Sequence, residues 1–265
     1  MTDTTARPRV GPLLRDWRRR RRLSQMDLAL EAGVSTRHLS FVETGRSRPS
    51  PEMILNLAEQ LEVPLRERNQ LMLAAGYAPA YEQRTLEDPD MEPVREAIEL
   101  VLAGIEPHPA VVVDRHWELL AGNSGVAFLT EGVDPALLEP PANVLRVALH
   151  PDGMAPRIAN LGEWRAHLLE RLTRQVELTG DAQLRSLHEE VCAYPAPAWN
   201  GGGVPRGGAI AVPLRMHHDG GELSFISTIT TFGTAIDITA AELSIETFFP
   251  ADARTAEAMR ALPGR

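Results

Sequence analysis

Ser24 and Ser35 each open a short run of apolar residues at helical spacing, and Gly33 lies between the two runs. Ser24 is followed by Gln25, Met26 and Asp27, so a hydroxyl caps the first turn, an acid three residues on reaches back, and Leu23 and Leu28 staple the entry. Leu28, Ala29 and Ala32 share one face of this helix, and Gly33 stops it by taking the left-handed conformation that other residues resist. Ser35 caps the next helix, with Val34 and Leu39 as its staple and with Leu39 and Val42 turned inward. Two short helices joined by a tight glycine-containing turn form a helix-turn-helix unit. Upstream, from Gly11, the residues Leu13, Leu14 and Trp17 recur at helical spacing, and Arg18 to Arg22 continue that helix as a run of guanidinium groups.

The charge of the chain is distributed to match. Residues 1–48 hold 11 of the 27 basic residues and 5 of the 36 acids, a balance of +6, while the rest of the chain carries −15. A basic N-terminus on an acidic body points to a nucleic-acid-facing segment. Every basic residue is Arg, and Lys is absent. That excludes a Walker A loop, a kinase strand lysine and Schiff-base chemistry, each of which needs a primary amine. The bias to Arg, Ala and Pro is also what a GC-rich genome writes. The single Cys192 allows no intrachain disulfide, and no apolar run approaches the roughly 18 residues of a membrane helix. The expected location is the cytoplasm, with no membrane contact.

The stretch Gln25 to Gly45, QMDLALEAGVSTRHLSFVETG, resembles the xenobiotic-response-element (Cro/C1-type) helix-turn-helix regulators. The likeness runs from about Gly11 to Tyr77 and includes the Ser50-Pro51 helix start with Ile54, Leu55, Leu57, Ala58 and Leu61 behind it. Five helices are expected over residues 10–77. With Leu39 and Val42 buried, Ser35, Thr36, Arg37, Ser40 and Phe41 fall on the face that would enter the major groove and read bases. Arg37 suits a bidentate contact to guanine, and Phe41 an apolar one. Arg18, Gln25, Arg46 and Arg48 are expected on phosphates, which set register and salt sensitivity; His38, at the border, suits a phosphate or a packing contact. The resemblance implies the same division of labour at these positions.

Residues 78–91, rich in Pro and acids, read as a linker. Beyond it, Met91, Val94, Ile98, Val101 and Ile105 are spaced three and four apart, like a coiled-coil seam. Such a helix either pairs with its copy in a dimer or packs on its own downstream domain.

Downstream, AVVVDRHWELLAG (110–122) gives two short β-runs broken at Asp114 and Arg115, and helices follow at Val144 to Leu149, Leu161 to Leu178 and Leu184 to Val191. Three alternating strands close the chain: Ile210, Val212, Leu214, Met216; Leu223, Phe225; and Leu243, Ile245, Thr247, Phe249, with HHDGG (217–221) as a hairpin turn. Two strands, helices, then three strands is the order of a PAS-like sensor with an antiparallel sheet. The landmarks PAVVVDRHWELLAGN, NVLR, LGEWRAHLLERL and FGTAIDITAAELSIETFFPAD resemble the MmyB-like regulator ligand-binding family over about residues 92–262. The fold class is therefore multidomain: an all-α five-helix domain followed by an α+β PAS-like domain. The resemblance implies a small-molecule sensor, with a fatty-acid-like ligand and no other cofactor.

An apolar pocket could be lined by Trp117, Leu119, Phe128, Leu145, Trp164, Leu168 and Leu172, with Asn143, Arg146 and Arg165 anchoring a carboxylate. Each apolar residue could equally be plain core, and Arg146 a tether for the loop after it. Enzyme readings are thin. His188 and Cys192 stand one helical turn apart without a third metal ligand nearby; the glycines at 201–203, 207 and 208 open no helix; and no G-x-S-x-G elbow occurs. The expectation is a non-enzymatic regulator without a metal, a homodimer on a pseudo-palindromic operator of double-stranded DNA. The alternative is an adaptor whose C-terminal half recruits a protein partner.

Overall fold

A computed structural model describes residues 9–197, 212–219 and 221–261. The chain divides into two compact units, residues 1–84 with 234–241 and residues 85–233 with 242–265. The division falls at Arg84, within the stretch expected as a linker.

The first unit holds helices α1 (Val10–Arg20), α2 (Gln25–Glu31), α3 (Thr36–Glu43), α4 (Pro51–Gln60) and α5 (Leu65–Ala74). Their starts are the ones local chemistry dictates. Ser24 and Asp27 form a reciprocal capping box, the Ser35 hydroxyl accepts from His38 N, and the Ser50 hydroxyl accepts from Met53 N ahead of Pro51. Leu14, Leu28, Leu39, Ile54, Leu57 and Leu61 are fully buried and make one core. Gly33 has φ +66°, the left-handed turn between α2 and α3. Gly11 serves another purpose: a β-carbon there would lie 2.4 Å from the Val42 carbonyl oxygen, so α1 and α3 touch backbone to backbone. Asn69 holds the chain beyond α5, its Oδ1 accepting from Ala80 N and Tyr81 N and its Nδ2 donating to Tyr81 O. Residues 234–241 join this unit although they lie between two strands in sequence. Ile238 N donates to Glu82 O at 2.9 Å, Arg84 N donates to Asp237 Oδ2 at 3.2 Å, and the Thr239 hydroxyl donates to Arg84 O.

The second unit begins with α6 (Glu92–Ile105), β1 (Ala110–Val113) and β2 (Leu119–Gly122). Helices α7 (Val126–Leu129), α8 (Pro135–Leu138), α9 (Val144–Leu149), α10 (Leu161–Thr179) and α11 (Ala182–Ala193) follow. The unit closes with β3 (Leu214–His218), β4 (Gly221–Thr231), β5 (Ser244–Pro250) and α13 (Ala253–Ala261), and between β4 and β5 the chain forms α12 (Ile238–Glu242), all of which but Glu242 belongs to the first unit. The strands form one antiparallel sheet in the order β2-β1-β5-β4-β3. Strand β4 runs to Thr231, well past the Phe225 at which the apolar alternation ends, because Ile226 to Thr231 are β-branched or small and pair along β5. Ile210, Gly220 and the glycines at 201–203, 207 and 208 lie outside the described residues.

Helices pack on both faces of the sheet. Helix α6 packs Ile98 and Leu102 on Ala110, Val112, Leu243 and Ile245, with Val94, Val101 and Ile105 at the margin. Of the two uses open to its heptad-like seam, this helix spends it on its own domain. The opposite face carries the larger core, formed by α7, α9, α10 and α11 over Val111, Val113, Leu214, Met216, Leu223, Phe225 and Phe248.

Candidate DNA interface and ligand cavity

In α3 the apolar residues Leu39 and Val42 face the core, which leaves Thr36, Arg37 and His38 exposed and Ser40 and Phe41 half-buried on the outer side. The Arg37 and Arg46 guanidinium groups both lie over the Phe41 ring, at 5.4 and 5.9 Å from its centroid. Cation–π contact of this kind holds two flexible cations at the edge of α3. Ser35 is committed at the N-cap of α3, so its backbone and hydroxyl mark the end of the helix that would point into the groove.

Arg18 is not available to a phosphate. Its Nε donates to Glu43 Oε1 at 2.7 Å, its Nη2 to Glu43 Oε2 at 2.8 Å and its Nη1 to Leu23 O at 2.8 Å. The side chains of this pair are 10% and 1% exposed. Gln25 Nε2 donates to Glu43 Oε2 at 2.7 Å, so the same buried carboxylate holds the start of α2. Burial raises the Glu43 carboxyl's pKa, but the bonds from Arg18 and Gln25 outweigh it and leave the group below its ordinary value. Arg21 also turns to the protein, its Nε and Nη2 donating to Leu61 O and Glu62 O at 2.8 Å and closing the end of α4. Arg48 is held against α5, donating to Ala75 O at 2.9 Å and stacking over Tyr77 at 4.7 Å. Of the expected phosphate contacts, Arg46, Arg48 and His38 lie exposed and Gln25 half-exposed. The sequence carried no mark that separated Arg18 from its neighbours except its turn-by-turn phase with Leu14.

In the second unit a cavity opens between the sheet and helices α7 to α10, with about 680 Å³ of space free of protein atoms, its mouth included. Trp117, Leu119, Leu145, Trp164 and Leu168 line it, as do Val111, Val144, Met154, Leu214 and Phe248. Phe128 and Leu172 do not reach the wall. Phe128 packs on Phe225 at 5.8 Å and under Arg157, and Leu172 is fully buried in the core beyond. The three expected polar anchors are absent from the lining and are structural instead. Asn143 caps α9, its Oδ1 accepting from Leu145 N and Arg146 N while its Nδ2 donates to His116 O. Arg146 makes a two-pronged ion pair with Glu190, both bonds 2.8 Å. Arg165 donates to Cys192 O at 2.7 Å.

Sequence reasoning missed Glu246. The alternation Leu243, Ile245, Thr247, Phe249 follows the other parity of β5: Leu243 and Ile245 face α6, while Glu246 and Phe248 face the cavity. A strand buried on both faces shows no polar side, so alternation does not say which parity meets the larger core. The signal that could have found it is a carboxylate set in the middle of such a strand. Glu246 is held by Arg171 of α10, whose Nη1 lies 3.3 Å from both carboxylate oxygens. Arg171 in turn lies over the Trp117 ring at 4.2 Å. Trp117 has φ +67°, uncommon for a bulky residue, and is fixed there by Trp117 Nε1 donating to Gln175 Oε1 at 2.8 Å.

Elsewhere, His188 and Cys192 approach within 3.7 Å, but among the described residues no group of three His, Cys, Asp or Glu side chains could hold a metal. No helix among them is long and apolar enough to cross a membrane.

Residues 94–262, more than half of the chain, match the family model described as the MmyB-like transcription regulator ligand binding domain. The chain belongs to the MmyB-like transcription regulators. A helix-turn-helix family model matches residues 14–68 of the regulator, which is thus a DNA-binding protein with a ligand-binding domain. The regulator is also similar to an uncharacterized HTH-type transcriptional regulator, RghRB, of Bacillus subtilis (strain 168). The two are 32% identical over 113 residues, which cover 42% of this chain and 79% of that protein.

Proposed function

We propose that this regulator is a one-component switch: a homodimer reads a pseudo-palindromic operator through α3, and an apolar small molecule in the cavity of the second unit changes how well it does so. The observation that carries the sensing half is the cavity, walled almost wholly by aliphatic and aromatic side chains. The fatty-acid-like class implied by the family fits through its hydrocarbon chain, while the cations first expected to hold its carboxylate are engaged elsewhere. On the DNA, Ser35, Thr36, Arg37, Ser40 and Phe41 face the bases, and Gln25, His38, Arg46 and Arg48 face the backbone. Two helix-turn-helix units on one side of a duplex require half-sites about one helical turn apart. The ligand acts only to the extent that it binds two conformations with different affinity.

The test uses the full-length protein. Its operator is selected from random duplexes, its oligomeric state on that duplex is read by sedimentation, and what co-purifies with it is read by native mass spectrometry. Stripping that molecule and adding it back should shift operator affinity at least fivefold. A monomer on an asymmetric site, or affinity indifferent to the ligand, overturns the reading.

A further inference from the structure

Thr130 and Glu246 are the polar side chains on the cavity wall, and they differ in kind. The Thr130 hydroxyl already donates to Val126 O at 3.1 Å. Glu246 brings a carboxylate into an apolar enclosure with its side chain only 6% exposed. Two oxygens offer about four lone-pair positions. Among the described residues the donor to them is one Arg171 nitrogen, 3.3 Å from each, longer than the 2.7–2.9 Å of a strong charge-assisted bond. With the side chain 6% exposed, lone pairs that Arg171 leaves unfilled lack the solvation they would have in water, and a ligand in the cavity that donates to them recovers it.

Charge decides which ligand this is. A carboxylate brought beside Glu246 meets like charge where water does not screen it. Arg171 does not offset this, because its guanidinium is already shared between Glu246 and the face of Trp117. A cationic amine fares little better, since it meets Arg171 behind the carboxylate. His167, on the same helix, is pushed below its ordinary value by burial and supplies no positive charge near neutrality. An uncharged hydroxyl or amide N–H donates to the free lone pairs and adds no net charge.

We propose that Glu246 is the specificity-determining residue of the cavity, selecting an apolar ligand that carries an uncharged hydrogen-bond donor, a hydroxyl or an amide, over the matching carboxylate. This rests on the cavity being the ligand site, and the test separates the two. Trp117 and Trp164 line the wall, so tryptophan fluorescence of the full-length protein reads occupancy. The probes are 1-decanol, decanamide, methyl decanoate and decanoate at pH 8. Decanol and decanamide should bind at least tenfold more tightly than decanoate, and at least threefold more tightly than the ester, which accepts but does not donate. In Glu246→Gln, decanoate should gain at least tenfold, because Arg171 is left without its counter-charge. These comparisons in the unaltered protein stand even if the variant fails to fold. Decanoate binding as tightly as decanol to the unaltered protein overturns the role of Glu246 and leaves the cavity reading intact. If no probe binds, the cavity reading itself is overturned.

Discussion

Replacing Arg18 with Met removes a guanidinium from a carboxylate that is 1% exposed and leaves Glu43 with the single amide of Gln25. Breaking a buried pair from one side costs about 3–5 kcal/mol, because the remaining charge has lost both its water and its ion-pair partner. Set against a total stability of about 5–15 kcal/mol for a domain, that unfolds a measurable fraction of the DNA-binding unit. The double replacement, Arg18→Met with Glu43→Leu, removes both charges at similar volume and should return to within about 2 kcal/mol of the parent. The coupling in this double-mutant cycle should therefore reach about 2 kcal/mol or more. Urea denaturation followed by circular dichroism gives the free energies, and amide exchange of α1 to α3 assigns the loss to this unit. Glu43 titrates below its unfolded value, so its contribution is present above the unfolded carboxyl range and is lost as pH falls through the folded value. The double variant should accordingly lose less stability in acid than the parent. The reasoning fails if Arg18→Met costs under about 1 kcal/mol while flattening the salt dependence of DNA binding by about one phosphate contact; Arg18 would then belong to the DNA.

Gly11→Ala forces a methyl to within 2.4 Å of the Val42 carbonyl oxygen, and thermal melting should show a loss of about 1–3 kcal/mol. Arg37→Ala should relax base preference by about 1–3 kcal/mol at one position of the operator, whereas Arg46→Ala should weaken all sequences alike; binding arrays at two salt concentrations distinguish them. Burial pushes the Asp181 carboxyl up, but His116, the Leu184 and Gln183 amides and Arg115 bring it down to about 2. Asp181→Asn should thus cost about 1–2 kcal/mol at pH 7, a difference that acid titration of stability shows fading between about pH 4 and about pH 2.

The helix boundaries were legible because their causes are local. Ser24 with Asp27, Ser35 with His38 N, and Ser50 with Met53 N each act within three residues, and Gly33 ends α2 from its own backbone. Which residues of α3 face outward followed from Leu39 and Val42 once the helix was placed. The seam of α6 was also plain, although its partner was not: the same apolar spacing serves a copy or a sheet, and Ala110, Val112 and Ile245 take it here. The roles of individual charges were the least legible part, since an arginine reads the same whatever it faces.

Sequence alone thus determined the five helices, the turn between α2 and α3, the outward face of α3 and the strands of the second unit, all set by capping and periodicity within a few residues. Tertiary structure decided which arginines are committed and which carboxylate enters the cavity. Arg18 meets Glu43 25 residues away, Arg146 meets Glu190 44 residues away, and Arg171 meets Glu246 75 residues away. Ion pairing depends on distance in space and on how little water remains around the pair, and neither is defined until helices and sheet have packed.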